Sequence, residues 1–251
     1  MVSLMQEPSD ELTLYEQTRK RLREILAGQL PGNADLESTL TAYAYWVCTT
    51  VGERGVDWEA TLRDYADIAL RRAADDSEAE RHEVALLRRE LARAHGPVLD
   101  VGAGWGRLAP LYDGLGLRAI YVEPATLGTQ LMRRGGLSRI VRSVGEALPF
   151  ADGTFPTVVI GWVLHHGSAD LDAASIVHQM ARVTAPGGIL ISVEPLGERF
   201  DQEKWTGLLT QAGFKVDEVE RFFEMPNSRG EVEHQTLAIG TRGARCGSES
   251  L

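Results

Sequence analysis

The sequence has few cysteines and no long apolar run. Its two cysteines, Cys48 and Cys246, lie far apart in the chain, which argues against a disulfide framework and a cysteine-ligated metal, so we expect no metal site. No uninterrupted stretch of about 18 apolar residues occurs, which argues against a membrane-spanning helix. Residues 1–10 are polar and acidic and lack the apolar core of a signal peptide. We therefore expect a soluble, cytoplasmic, globular protein.

The chain also lacks basic character. Its 251 residues include 26 Lys and Arg against 36 Asp and Glu, a formal net charge of −10. Because no basic stripe is available to meet a phosphate backbone, the composition argues against a nucleic-acid partner. It suits a neutral or cationic small-molecule substrate better. The length supports one domain of ordinary size with an additional helical part.

Two parts of the chain follow different patterns. In residues 1–95 apolar residues recur at helical spacing, interrupted at Leu30–Asn33 and Gly52–Val56, and no run is typical of a strand. We expect four helices here, the third beginning after an Asp57 N-cap and the fourth spanning Glu78–Arg93. This part of the chain is predicted to be a helical cap or lid.

From Pro97 onward, short apolar runs alternate with helix-length segments. This alternation is typical of parallel strands joined by crossover helices. We expect an α/β fold in residues 96–242: a doubly wound, Rossmann-like, mostly parallel seven-stranded sheet with a C-terminal antiparallel hairpin. Residues 243–251 are expected to be a disordered tail. The predicted strands are Val98–Val101, Ala119–Val122, Arg139–Ser143, Val158–Trp162, Ile189–Val193, Phe214–Phe222 and His234–Thr241.

The first of these strands runs into a turn with glycine at every second position, Gly102, Gly104 and Gly106. Glycine suits a turn with positive φ or a close approach of ligand to backbone. The dinucleotide fingerprint needs a further glycine where this chain has Arg107, and the Gly-Lys-Ser/Thr of a phosphate P-loop is absent. A nucleotide-dependent oxidoreductase is therefore a disfavoured alternative.

Two carboxylates flank this turn. Asp100 precedes it, and Glu123 ends the next predicted strand. A carboxylate at the position of Asp100 would repel a pyrophosphate but could hold an ammonium group, and Glu123 is placed to accept two hydrogen bonds from a ribose diol. A nucleoside that carries a cationic amino acid, S-adenosylmethionine, fits this pair better than NAD.

Between about Pro97 and Arg242 the chain resembles the class I S-adenosylmethionine-dependent methyltransferases, in particular their small-molecule subgroup. Besides the turn and Glu123, the resemblance rests on Glu146–Phe150, Val163–His166 and Arg182–Gly188, in the family's order. It implies transfer of a methyl group from S-adenosylmethionine to an O, N or C atom of a small molecule. The cofactor contacts that it implies are Asp100, Gly102, Ala103, Gly104, Gly106, Glu123, Pro124, Gly145, Glu146, Trp162 and Val163.

The chain departs from the family's pattern at two places. Val144 stands where the family usually has an Asp that binds the adenine amino group. That contact must come from Glu146 or from the backbone, or be missing. Pro156 replaces an Asp before the fourth strand, which we expect to change the strand entry only.

The resemblance suggests residues for catalysis and for the acceptor. His165 or His166 follows the fourth strand on the rim facing the methyl group and could act as a general base, with a packing role as the alternative. Glu194, at the end of the fifth strand, is expected to point towards the cleft mouth and could orient a substrate hydroxyl or amine, with a solvated strand-end carboxylate as the alternative. The cap offers aromatic candidates for contact with a planar substrate or the sulfonium, unless they are core residues: Tyr15, Tyr43 and Trp46.

Methyl transfer needs no fixed catalytic triad, because the leaving group is neutral and alignment does most of the work. Two other functions would use the same cofactor site. One is intramolecular alkyl transfer, a cyclisation that releases methylthioadenosine. The other is cofactor binding without catalysis. We expect a methyltransferase acting on a small molecule, plausibly in bacterial secondary metabolism.

Overall fold

The computed structural model describes residues 9–166, 172–227 and 229–243 of the chain. Its first part consists of three helices, which we call the helical cap, and residues 9–97 contain no strand, as the sequence predicts. Aspartates begin two of them: Asp35 accepts a hydrogen bond from Ser38 N at 2.9 Å, and Asp57 accepts one from Ala60 N at 2.8 Å. The cap helices are α1 (Ser9–Leu26), α2 (Leu36–Arg54) and α3 (Trp58–Leu91).

The prediction of separate third and fourth helices was wrong, because α3 runs unbroken for 34 residues. The charged stretch around Asp75–Ser77 contains neither Gly nor Pro, so nothing there stops a helix. The Ser77 hydroxyl donates to Ala73 O at 2.7 Å and stays within the helix. One long helix therefore runs from the cap to the sheet, where Leu87 and Leu91 pack in an apolar cluster with strand residues.

The second part of the chain alternates strands and helices. Two strands match their predicted bounds, and the others begin or end elsewhere; β3, for example, has two residues, and β5 extends well beyond its predicted ends. The elements are β1 (Val98–Val101), α4 (Ala109–Gly114), β2 (Ala119–Val122), α5 (Thr126–Arg134), β3 (Ile140–Val141), β4 (Phe155–Gly161), α6 (Ala173–Val183), β5 (Thr184–Leu196), α7 (Gln202–Gln211), β6 (Phe214–Pro226) and β7 (Val232–Arg242).

Within the described residues these strands form one seven-stranded sheet in the order β3-β2-β1-β4-β5-β7-β6. The first five strands pair in parallel, and β7 pairs antiparallel with both β5 and β6. The predicted fold, a mostly parallel doubly wound sheet with a C-terminal antiparallel hairpin, is confirmed. The strand order reverses between β1 and β4, and the crevice at the carboxyl ends of these strands is where such sheets bind ligands.

Apolar clusters cover both faces of the sheet, and a third fills the cap. The cap cluster includes Leu127 of α5, with Trp105 of the glycine turn packed against it, so the cap rests on the carboxyl edge of the sheet. None of the helices in the described ranges is long and apolar enough to cross a membrane. Of the predicted disordered tail, residues 244–251 lie outside the described part of the chain.

Candidate active site

A cavity of about 1890 Å³ lies between the helical cap and the carboxyl ends of the strands. Single-ligand sites usually have about 300–1,000 Å³, so this cavity has room for a cofactor and a second molecule. Its walls come from α2, α3, the turn after β1, the residues after β2 and β4, and the loop between β6 and β7.

The glycine turn, residues 102–106, forms one wall of this cavity. Gly102 N and Ala103 N both donate to Val122 O, at 2.9 and 3.0 Å, which holds the turn against β2. Gly102 and Gly104 have φ of +73° and +57°, a region that side chains disfavour. A Cβ on Gly102 would meet Val163 Cγ2 at 2.4 Å, whereas one on Gly104 would meet no atom within 4 Å. The turn is therefore open to the cavity at Gly104.

Gly106 does not fit its predicted role as a cofactor contact, because it is buried and is not among the cavity-lining residues. A Cβ there would lie 2.9 Å from Leu137 Cδ1 and 3.0 Å from Met132 Cγ. The absence of a side chain at Gly106 lets the turn pack closely on α5 and on the loop after it. The helix that follows begins only at Ala109, so its first turn is not part of the glycine turn.

Glu123, directly after β2, is buried beneath the cap. Its Oε2 accepts from Gly104 N at 2.8 Å, and its Oε1 accepts from Ala125 N at 2.9 Å and from the Tyr45 hydroxyl at 3.3 Å. Burial raises the pKa of this carboxyl, while the two backbone donors lower it. Gly128 of α5 lets the helix pack closely against Glu123, since a Cβ at this position would lie 2.7 Å from Glu123 Cγ.

Asp100 of β1 lies on the floor of the same cavity and is 3% exposed. Burial raises the pKa of its carboxyl to about 7, although the neighbouring Tyr112 hydroxyl and the Arg107 charge lower it. A cation entering the cavity would compensate for this desolvation. Asp100 therefore favours a positively charged ligand.

Arg107, which the sequence analysis used only to disfavour a dinucleotide, makes an ion pair across the cavity wall. Its guanidinium donates to both oxygens of Glu83 on α3, at 2.8 and 3.0 Å. Glu83 is 1% exposed, so the carboxylate of this ion pair is shielded from water. Sequence reasoning missed Glu83, which is one of many charged residues in α3. The pair connects the cap to the glycine turn.

Glu194, at the end of β5, holds the loop that follows β4. Its Oε1 accepts from Val163 N and Leu164 N, at 3.2 and 3.0 Å, and its Oε2 accepts from the His165 backbone and from His165 Nδ1, at 3.2 and 2.9 Å. The expectation that Glu194 points towards the cleft mouth was wrong, because it is 0% exposed and all its partners belong to this loop. It can position His165 but not contact a substrate.

The two histidines after β4 differ in their surroundings. His165 is anchored by Glu194, and if its Nδ1 donates to that carboxylate, Nε2 is left as an acceptor on the opposite edge of the ring. His166 is exposed and stacks on His165, with ring centroids 3.9 Å apart. Both line the cavity, but only His165 has a carboxylate partner.

Trp162 precedes these histidines in a strained backbone conformation. Its φ is +62°, in the left-handed region that bulky residues rarely adopt, and its backbone N–H donates to Val193 O at 2.8 Å. Such strain clusters at functional sites. The conformation ends β4 and places Trp162 and Val163 on the cavity wall.

The segment after β3 contributes another part of the wall. Gly145 and Glu146 line the cavity, as does Pro124 after β2. A Cβ on Gly145 would lie 3.1 Å from Ile176, so glycine allows close packing on α6. Glu146 accepts from Asp172 N at 3.2 Å and so supports the start of α6. Val144 is exposed and offers no polar group.

The cap aromatics separate into core and cavity residues. Tyr15 packs in the apolar cluster of the cap and is not among the cavity-lining residues, so its predicted substrate contact is not supported by its position. Tyr43 and Trp46 line the cavity, and the Tyr43 hydroxyl donates to Asp76 at 2.6 Å. Tyr45, which belongs with Tyr43 and Trp46 to one aromatic cluster in the sequence, contacts Glu123 through its hydroxyl.

Comparison with known proteins matches residues 99–192 to the methyltransferase domain family. An uncharacterized methyltransferase of Mycobacterium sp. (strain KMS) is 34% identical over 98 residues, 38% of this chain and 36% of that protein. A probable chloroplastic tocopherol O-methyltransferase of rice (Oryza sativa subsp. japonica) is 34% identical over 139 residues, 48% of this chain and 37% of that protein. The matches thus span little more than a third of these relatives.

The fold is also similar to that of solved proteins. A SAM-dependent methyltransferase of Methanosarcina mazei superposes with a TM-score of 0.56 at 15% identity, over 62% of this chain and 97% of that one. The structural similarity shows a shared fold. Residues 99–192 match the methyltransferase domain family, the chain has the fold of the S-adenosylmethionine-dependent methyltransferases, and this match and this fold indicate S-adenosylmethionine as the cofactor.

Proposed function

We propose that this chain methylates an oxygen or nitrogen atom of a small molecule bound in the cavity, with His165 as the general base. The observation that carries the proposal is that the glycine turn and the Glu194-anchored His165 line one cavity. A cofactor held at the turn and an acceptor held near His165 would therefore share one cavity. The finer choice of O or N over C rests on His165 as a base for the proton that an O–H or N–H acceptor loses on methylation.

The residues at the turn fit S-adenosylmethionine. Gly104 leaves the backbone open, Asp100 provides a desolvated carboxyl for the ammonium group, and Glu123 provides a carboxylate for the ribose. When bound, the cofactor would supply a methyl group on a sulfonium, whose carbon a nucleophile can attack in line while the neutral thioether leaves with the electrons of the C–S bond. Pro124, Gly145, Glu146, Trp162 and Val163 are proposed further contacts, and Ala103 and Gly102 shape the turn beneath them.

His165 is suited to remove a proton from the acceptor. Glu194 fixes the ring through Nδ1, which leaves Nε2 to accept a proton, and the buried carboxylate would stabilise the imidazolium that results. Glu194 also accepts hydrogen bonds from three backbone N–H groups of the same loop, so the fold of this loop sets the position of the His165 ring. In this scheme Glu194 is a positioning residue.

The cap completes the acceptor side of the cavity. Trp46 is partly exposed, lines the cavity and offers a surface for a planar acceptor. Tyr43, which is 2% exposed, supports it from the cap core through an edge-to-face contact with ring centroids 5.0 Å apart. We propose that residues 1–95 act as the cap or lid and residues 96–242 as the cofactor domain. A bacterial, cytoplasmic role in secondary metabolism, without a nucleic-acid partner, stays a prediction from the sequence.

A panel of phenols, alcohols and amines, incubated with the protein and methyl-labelled S-adenosylmethionine, tests the proposal. Mass spectrometry should detect labelled product and an equal amount of S-adenosylhomocysteine for at least one acceptor. His165→Gln should form far less product, with His166→Gln as the matched control that keeps turnover. Release of methylthioadenosine in place of S-adenosylhomocysteine would contradict methyl transfer and favour alkyl transfer.

A further inference from the structure

We propose that Tyr45 of the helical cap is a second binding residue for the cofactor ribose, acting together with Glu123. This inference rests on the proposed placement of S-adenosylmethionine at the glycine turn. It makes the cap part of the cofactor site as well as part of the acceptor site.

The position of Tyr45 is fixed on two sides. Its ring packs against Trp105 of the glycine turn, with centroids 5.1 Å apart and planes at 57°. Its hydroxyl reaches Glu123 Oε1 at 3.3 Å, and both Tyr45 and Glu123 line the cavity. Tyr45 is 9% exposed, so a cavity ligand meets a hydroxyl that water scarcely competes for.

The hydrogen-bond capacity of Glu123 indicates why a second residue is needed. A carboxylate has about four acceptor sites on its two oxygens. In this protein Gly104 N occupies one site on Oε2, and Ala125 N and the Tyr45 hydroxyl occupy both sites on Oε1. One site on Oε2 remains, whereas a ribose diol brings two O–H donors. Glu123 therefore cannot accept both ribose hydroxyls while these three bonds persist.

The Tyr45 oxygen supplies the missing acceptor. Burial, with Glu123 next to it, raises the pKa of the Tyr45 hydroxyl, so the group keeps its proton and stays neutral. A neutral phenol that donates to Glu123 retains lone pairs on its oxygen and can accept a ribose hydroxyl at the same time. One ribose hydroxyl then donates to Glu123 Oε2 and the other to Tyr45 Oη.

The test compares two ligands on matched Tyr→Phe variants of the full chain by calorimetry. The ligands are S-adenosylhomocysteine and its 2′,3′-dideoxy analogue, which lacks both ribose hydroxyls. Tyr45→Phe should weaken binding of S-adenosylhomocysteine roughly fivefold, as expected for one net hydrogen bond, and leave binding of the analogue unchanged. Tyr65→Phe is the control, because that hydroxyl contacts Thr50 within the cap at 3.0 Å and should leave both affinities unchanged.

Other outcomes would overturn the inference. An equal loss for both ligands would mean that Tyr45→Phe disturbs the fold of the site, and an unchanged affinity would mean that the hydroxyl does not contact the ribose. Tighter binding of S-adenosylhomocysteine would mean that Tyr45 competes with the cofactor for Glu123. If the unsubstituted chain does not bind S-adenosylhomocysteine at all, the proposed function itself fails, which separates the two results.

Discussion

The guanidinium of Arg107, next to the glycine turn, forms two hydrogen bonds with the carboxylate of Glu83, a residue of the helical cap 24 positions earlier in the chain. Arg107 also lowers the pKa of Asp100 on the cavity floor. The ion pair thus joins three features of the site: the cap, the glycine turn and the carboxyl proposed to hold the cofactor's ammonium group.

Removal of the Glu83 charge should destabilise the protein. Glu83→Gln leaves Arg107 without its buried partner, and we expect a loss of about 3 kcal/mol in the free energy of unfolding, measured in urea. Glu16→Gln is the matched control, because Glu16 also pairs with an arginine of the sheet domain, Arg134, but both side chains are exposed. That variant should lose about 1 kcal/mol or less. Equal losses would contradict a special role for the buried pair.

Cofactor affinity should depend on the ionisation of Asp100. Since burial raises the pKa of this carboxyl to about 7, much of it is protonated at about pH 6 and most is ionised at about pH 8. Affinity for S-adenosylhomocysteine should therefore rise between these values, with a proton released on binding at the lower pH. Calorimetry across this range measures both effects. Asp100→Asn should weaken binding about tenfold or more and abolish the pH dependence.

The same raised pKa has a consequence for the ligand-free protein. The ordinary pKa of an Asp is about 3.9, so Asp100 favours folding most below that pH, and the contribution is lost as the pH rises through about 7. Ligand-free Asp100→Asn should therefore be more stable than the unsubstituted chain in thermal melts at about pH 8. At about pH 5 this gain in stability should be smaller. A constant difference at both values would argue against a strongly perturbed carboxyl.

His165 and Glu194 should act as a unit in turnover. With an acceptor identified from the panel, we expect His165→Gln and Glu194→Gln each to lower kcat about a hundredfold and to leave the KM for the cofactor nearly unchanged. A change confined to KM would indicate that the pair shapes the loop and does not transfer a proton.

Gly104→Ala and Gly106→Ala should affect different properties, ligand binding and stability respectively. At Gly106 a methyl group would collide with Leu137 and Met132, so this variant should lower the melting temperature. At Gly104 the methyl group would enter the open cavity, so this variant should mainly weaken binding of S-adenosylhomocysteine. Both positions have positive φ, which makes the backbone strain similar. Weaker binding by Gly106→Ala alone would restore its original assignment as a cofactor contact.

The parts of the site that local sequence predicts are those set by strand ends. Asp100 and Glu123 are placed by parallel strands β1 and β2, whose carboxyl ends meet at one edge, and the glycines between them mark the turn. The fold was predictable for the same reason, since alternating strands and helices restrict the topology to few choices.

The contacts between the cap and the turn could not be predicted in this way. The pairs Glu83–Arg107 and Tyr45–Glu123 depend on how the cap docks on the sheet, and no local pattern encodes that docking. The sequence likewise does not show that the Glu194 side chain points into the protein. Its backbone hydrogen-bond donors come into place only when the loop after β4 has folded. Gly106 was misassigned because its neighbours Met132 and Leu137 are distant in sequence.

The most direct test of the central claim is a crystal structure of the full chain with S-adenosylhomocysteine. We predict ribose density within hydrogen-bond distance of Glu123 Oε2 and an ammonium group facing Asp100, with the backbone of Gly104 against the ligand. Ligand density elsewhere, with the space between Gly104 and Glu123 filled only by solvent, would contradict the account.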